Sequence, residues 1–412
     1  MAFNGRVLSI AVSTLVAALG AAQAGRLLIV DAKVWDGSQY LEHTSVLVNN
    51  GVIVEIGKTI TAANAEVVNA AGMVLYPGFI DAYTTSGLKL PDPATAAPAR
   101  NTTDRAYASM WEANRKGIRS DLVAGDCFAP DFDPVVSFQN GVVTTLFAPG
   151  SGTIRGECSI ARLGKPPVVL NKTFGQEISI RGGGGGGGAG GYPGSLMGII
   201  ALMRQTIYDA QGYSGEPKDA FLQNLQAAAT GKEFSLFMAD TSRDVHRALV
   251  LSKELGLKPI IVGGREAYQM APVLAENKTP VIIRVDMGSE PSLTGDDTTP
   301  AEIRKERRDE WLERTTNLAV LLKARVPVAL TSDGGRTDFL KNARNLLKYG
   351  VSAPEVLSAL TSGGANILGL GSRCGSIKVG MDGDFVLMSA NFEDDKSVVK
   401  AVIVSGKMEV VK

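Results

Sequence analysis

Between residues 79 and 370 apolar strand-like runs alternate with helical stretches, a pattern that constrains the chain to parallel strands covered by helices. Val142 to Ala148, Phe234 to Met238, Lys258 to Val262, Thr279 to Val285 and Val326 to Leu330 are the clearest strands. Helical spacing runs through Asp244 to Leu255, Ala301 to Arg325 and Ala353 to Leu360. In the last of these, Ser352-Ala353-Pro354-Glu355 places a cap and a first-turn proline ahead of the apolar face. About seven strands are visible in this way, so the predicted α/β closure is a (β/α)8 barrel whose eighth strand is not located.

Both flanks of the barrel read as short β segments. Residues 25–78 carry Leu27 to Val30, then Val46 to Val48 and Val52 to Val54 joined through Asn49-Asn50-Gly51, whose Asn-Gly pair suits a tight hairpin. Residues 371–412 carry Gly375 to Ile377, Asp384 to Leu387, Val399 to Val404, a Ser405-Gly406 turn and Met408 to Val411. Ahead of all this, residues 1–24 have the form of an export signal: Arg6, an apolar run from Val7 to Leu19, and Ala22-Gln23-Ala24 as a small-x-small cleavage site. The run is shorter than the roughly 20 residues that span a bilayer. The mature protein is therefore expected in the periplasm or secreted, with no membrane partner after cleavage.

Charge and cysteine content exclude some classes of function. With 42 basic and 42 acidic residues the chain has no electrostatic grip on nucleic acid or anionic lipid. Cys127, Cys158 and Cys374 are too few and too scattered for a disulfide framework and read as small buried hydrophobes, although one pair could still bridge.

The junction Val74-Leu75-Tyr76-Pro77-Gly78-Phe79-Ile80-Asp81 resembles the amidohydrolase superfamily, as does the closing half of the chain. There Leu330-Thr331-Ser332-Asp333 is followed by Leu360-Thr361-Ser362-Gly363-Gly364-Ala365-Asn366 and by Gly375-Ser376-Ile377-Lys378-Val379-Gly380-Met381-Asp382-Gly383-Asp384. Asn140-Gly141-Val142-Val143-Thr144-Thr145, Tyr192-Pro193-Gly194-Ser195-Leu196-Met197-Gly198 and Gly263-Gly264-Arg265-Glu266-Ala267-Tyr268 are similar to one branch, the exported bacterial amidohydrolases related to imidazolonepropionase. The resemblance implies that both terminal β segments fold together as a small composite sandwich beside the barrel. It also implies one or two divalent metals, zinc or another, at the C-terminal mouth of the barrel. Histidines after the first, fifth and sixth strands and an aspartate after the eighth hold the metal in active members, where it activates water for attack on an amide or imide carbonyl.

This chain departs from that pattern at every histidine. The first-strand pair falls on Tyr83 and Thr85, the fifth-strand ligand on Met238, and the sixth near Gly263, leaving only Asp333. The chain has two histidines, His43 and His246, and neither lies in a motif. A catalytic metal needs about three protein ligands and an open position, so no metal is expected here. Cys158 beside Glu157, and Asp240 one residue past the lost histidine, are the available substitutes. Neighbours on a regular strand face opposite ways, so Glu157 and Cys158 cannot share one ion.

Asp333, the best catalytic candidate, has a second reading as a turn or helix cap ahead of Gly334-Gly335. Arg162, if it points inward, would pair with Asp333 and fill the vacated site. A Ser-His-Asp triad would need His43 or His246 as its base, but one sits in the terminal β region and the other in a helix. The glycine run within residues 182–191 lacks the Gly-Lys-Ser/Thr ending of a phosphate loop and reads as a flexible insertion.

Two functions follow. One is a catalytically degenerate exported amidohydrolase relative, a pseudoenzyme subunit paired with an active paralogue or itself, or a ligand-binding barrel. The other is a hydrolase of non-peptide carbon-nitrogen bonds with an altered site built from Asp333 with Asp240, Tyr83 or Cys158.

Overall fold

A computed structural model describes residues 25–91, 117–181, 195–216, 218–294 and 299–410. The export signal at 1–24 and the glycine-rich insertion at 182–191 lie outside the described residues. Among the described residues no helix is long and apolar enough to cross a membrane.

The chain opens with β1 (Arg26–Trp35), β2 (Tyr40–Asn49), β3 (Val52–Gly57), β4 (Ala65–Asn69) and β5 (Val74–Pro77). It closes with β14 (Phe385–Met388), β15 (Val399–Val404) and β16 (Lys407–Val410). All eight belong to one sheet, in the order β16-β15-β14-β5-β1-β2-β3 with β4 paired to β1, so the two chain ends are joined by the antiparallel β14–β5 ladder. Asn50 and Gly51 both take positive φ, 50° and 79°, which gives the β2–β3 turn the twist a two-residue hairpin needs. The predicted strand at Gly375 to Ile377 does not form. Ile377 is instead a buried side chain whose backbone N–H donates to Asp36 O at 3.2 Å.

The second sheet is the barrel: β6 (Phe79–Thr84), β7 (Val142–Phe147), β8 (Ile154–Arg162), β9 (Val168–Ser179), β10 (Phe234–Ala239), β11 (Lys258–Gly263), β12 (Val281–Arg284) and β13 (Val328–Thr331), each bonded to the next. Neither β8 nor β9 is among the clearest strands of the sequence, and β8 runs antiparallel to both β7 and β9. The expectation of an all-parallel barrel is corrected here: β7, β8 and β9 form a meander, which needs no helical crossovers. The polar run Arg155-Gly156-Glu157 hides β8 from a search for continuous apolar strands.

Side chains join β13 to β6 and nearly close the barrel. Ser332 N and Oγ donate to the buried Asp81 carboxylate at 3.0 and 2.5 Å, and Thr331 Oγ1 donates to Tyr83 O. The aspartate that ends the junction motif is thus part of the seam. Outside the barrel, Phe237, Ile261 and Leu330 pack toward the helices, while Leu236, Ile260, Val262, Ile282 and Ala329 fill its interior. Helices follow the expected spacing at Ser242–Leu255 and Ala353–Leu360, the latter with a complete capping box between Ser352 and Glu355. The long charged stretch is split in two, Ala301–Thr315 and Asn317–Lys323.

Candidate functional site

The C-terminal ends of seven strands and the N-terminal end of the reversed β8 converge on one mouth. Counted along the chain, Met238 lies on the fifth barrel strand, Gly263 ends the sixth, and Asp333 follows the eighth. The ligand positions implied by the resemblance therefore fall at the mouth, but they carry different chemistry.

Tyr83 is fully buried, and its hydroxyl donates to Glu177 Oε1 at 2.7 Å. The same Glu177 accepts from Arg155 Nη1 at 2.7 Å and from Gly150 N at 2.7 Å. Burial, reinforced by Glu177, pushes the Tyr83 phenol well above its ordinary value, so it is a neutral hydrogen-bond donor in a closed network. Thr85 lies exposed at the rim, its methyl group so close that a Cβ on Gly150 would come within 2.7 Å of it.

Met238 shares the inward face with Leu236 and packs against the barrel interior. Gly263, at φ 95°, brings its backbone against Asp240, and a Cβ there would stand 2.4 Å from Asp240 Oδ1. No side chain, histidine included, fits that position without moving Asp240.

Asp333 adopts φ 47°, donates its backbone N–H to Thr331 Oγ1 at 2.9 Å, and directs its carboxylate onto Arg284 Nη2 in an ion pair. Neither the capping reading nor the predicted Arg162 pair holds. Arg162 is at the other end of the barrel because β8 is reversed: Arg155 starts that strand at the mouth and Arg162 ends it at the floor. There Arg162 Nε donates to Asp384 Oδ2 at 2.8 Å and Nη1 to Ser405 Oγ at 2.7 Å, with Asp382 as a further partner. Arg284, the residue that does reach Asp333, carried no motif in the sequence. Its inward direction, two residues past Ile282 on β12, is the only signal that would have found it.

The other candidates are placed equally firmly. Glu157 and Cys158 face opposite ways, as adjacent strand residues must. Cys158 joins the barrel interior, where burial pushes its thiol well above the ordinary value. Glu157 points outward and accepts from Gly175 N at 2.6 Å and Gln176 Nε2 at 2.9 Å, with burial raising its carboxyl to about 8. His43 pairs with Asp31 at 2.8 Å on the terminal sheet, and His246 lies on the Ser242–Leu255 helix. All three cysteines are free.

The residues present do not suit a divalent metal. Among the described residues no three His, Cys, Asp or Glu side chains are grouped to hold one. At the mouth, Asp333 already faces a guanidinium.

Comparison with known structures agrees with this architecture. Residues 306–408 match the model of the amidohydrolase family. An amidohydrolase from Thermotoga maritima MSB8 superposes with a TM-score of 0.72 at 24% identity, over 93% of this chain and 99% of that one. The fold is that of an amidohydrolase. A Xaa-Pro dipeptidase with bound methionine shares the amidohydrolase fold at a TM-score of 0.56 and 17% identity, over 93% of this chain and 100% of its own. A beta-aspartyl dipeptidase from the thermophilic, keratin-degrading Fervidobacterium islandicum AW-1 does so at 0.55 and 14%, over 93% and 97%. No curated protein matches the sequence.

Proposed function

We propose that this chain is a catalytically degenerate amidohydrolase-fold protein whose barrel mouth binds a ligand instead of hydrolysing one. The observation that carries the reading is the Arg284–Asp333 pair. In a metal-dependent hydrolase the aspartate after the eighth strand must accept a proton from metal-activated water. Here a resident guanidinium is ion-paired with that carboxylate and brings a positive charge to the place a cation would take. The altered-hydrolase alternative has little to draw on, since Tyr83 is a neutral donor locked to Glu177 and the Cys158 thiol is buried and raised.

Export through residues 1–24 and pairing with an active paralogue or a second copy belong to the same proposal. They are motivated by the leader-like sequence and by a scaffold that keeps its fold without its ligands. Purified protein assayed against Xaa-Pro and isoaspartyl dipeptides and cyclic amides, with and without added zinc, should show no turnover above buffer. Zinc-dependent turnover that disappears in Asp333→Ala would overturn the proposal in favour of an altered hydrolase.

A further inference from the structure

Four adjacent strands, β10 to β13, end in an arc of charges at the mouth: Asp240 after β10, Arg265 after β11, Arg284 closing β12 and Asp333 after β13. The ladders fix their order, with Ala239 opposite Gly263, Gly263 opposite Ile283 and Arg284 opposite Thr331. Arg284 is satisfied at Nη2 by Asp333. Among the described residues, however, its Nε is buried with no hydrogen-bond partner, and so are Nε of Arg265 and Oδ1 of Asp240. A buried donor or acceptor left unpaired is unfavourable, a charged one most of all. Three orphans on neighbouring strand ends are concentrated where the fold places its ligands. Burial lowers the pKa of Arg284; Asp240 acts against that fall and Arg265 adds to it, so both groups lie within electrostatic reach of the Arg284 guanidinium.

We propose that the mouth is a binding site for a small carboxylate, gripped between the guanidiniums of Arg265 and Arg284. A planar carboxylate matches the fork of N–H donors on a guanidinium, which a spherical ion does not. Asp240 and Asp333 flank the two arginines, so a singly charged anion is favoured over a dianion such as phosphate. The side chains of Arg284 and Asp333 keep 23% and 16% of their surface exposed at the mouth. The proposal rests on reading the mouth as a binding site.

Acetate titrated into the metal-analysed protein, with chloride at matched ionic strength as control, tests it by calorimetry and thermal shift. Saturable acetate binding is expected, with a rise in Tm that chloride does not reproduce. Arg265→Gln, which disturbs no ion pair among the described residues, should weaken acetate on the order of tenfold or more through loss of a charge-assisted contact. Asp240→Asn is nearly isosteric and should tighten it by removing a neighbouring negative charge. Acetate that binds no better than chloride, or binds Arg265→Gln and Asp240→Asn as it binds the parent, would overturn the carboxylate site. If the protein is metal-free and inactive, that result leaves the degenerate reading standing. One equivalent of bound zinc with hydrolysis would overturn the degenerate reading itself.

Discussion

At the floor of the barrel Arg162 is held by Asp382, Asp384 and Ser405 and ties one layer of the molecule to another, whereas at the mouth Arg284 is ion-paired, among the described residues, with Asp333 and ties neighbouring strands of one layer. The floor pair is the more deeply buried, with 12% of the Arg162 side chain and 4% of Asp384 exposed against 23% and 16% for Arg284 and Asp333. Buried charges with several partners are costly to break, and partly exposed pairs are cheap. The intact motifs and the departures from them divide the same way. Asp81, Gly78 and Asp384 hold the junction together, with Gly78 N donating to Asp384 O at 2.8 Å. Tyr83, Met238 and Gly263 stand where the resemblance would put metal ligands.

The largest effect expected from this contrast is at the floor. Arg162→Met leaves Asp384 and Asp382 without their main counter-charge and should cost about 3–5 kcal/mol, read as a fall in the urea midpoint at unchanged slope. A loss below about 1 kcal/mol would place the floor pair in the same class as an exposed one. Asp81→Ala should be next, at about 2–3 kcal/mol, because Ser332 N and Oγ lose a buried acceptor at the seam.

Glu157→Gln should act in the opposite direction and with a pH dependence. Because burial raises the folded carboxyl to about 8, the folded state binds the extra proton, and stability is lost as pH rises from the ordinary carboxyl value of about 4.5 through about 8. The variant lacks that loss. It should be more stable than the parent by about 1 kcal/mol or more at pH 8, with the gain shrinking toward pH 5, in paired thermal melts. Equal slopes for the two proteins would show that the Glu157 carboxyl is not raised.

The smallest change belongs to the mouth. Arg284→Met should shift global stability by about 1 kcal/mol or less, since Asp333 can turn to solvent. A penalty as large as that of Arg162→Met would make the mouth pair a structural tie and remove the distinction between the two ends.

What the sequence made legible was local. The Asn50-Gly51 and Ser405-Gly406 hairpins, the Ser352–Glu355 capping box and the apolar barrel strands each follow from a few adjacent residues. Strand β8 did not, because its polar residues are satisfied by partners distant in sequence: Arg155 by Glu177 on β9, and Arg162 by Asp382 and Asp384 in the last segment. The misplacement of Arg162 follows from that one unseen reversal, which exchanges the two ends of the strand. Arg284 was invisible for a related reason. Its role depends on two strands being neighbours, and nothing next to it in the chain reports that.

Elemental analysis of natively isolated protein, with identification of whatever co-purifies, bears most directly on the central claim that a guanidinium has taken the place of a metal. The account predicts substoichiometric zinc and other divalent metals in the wild-type protein. One equivalent of tightly held metal in protein free of any partner, removed together with activity by a chelator, would contradict it.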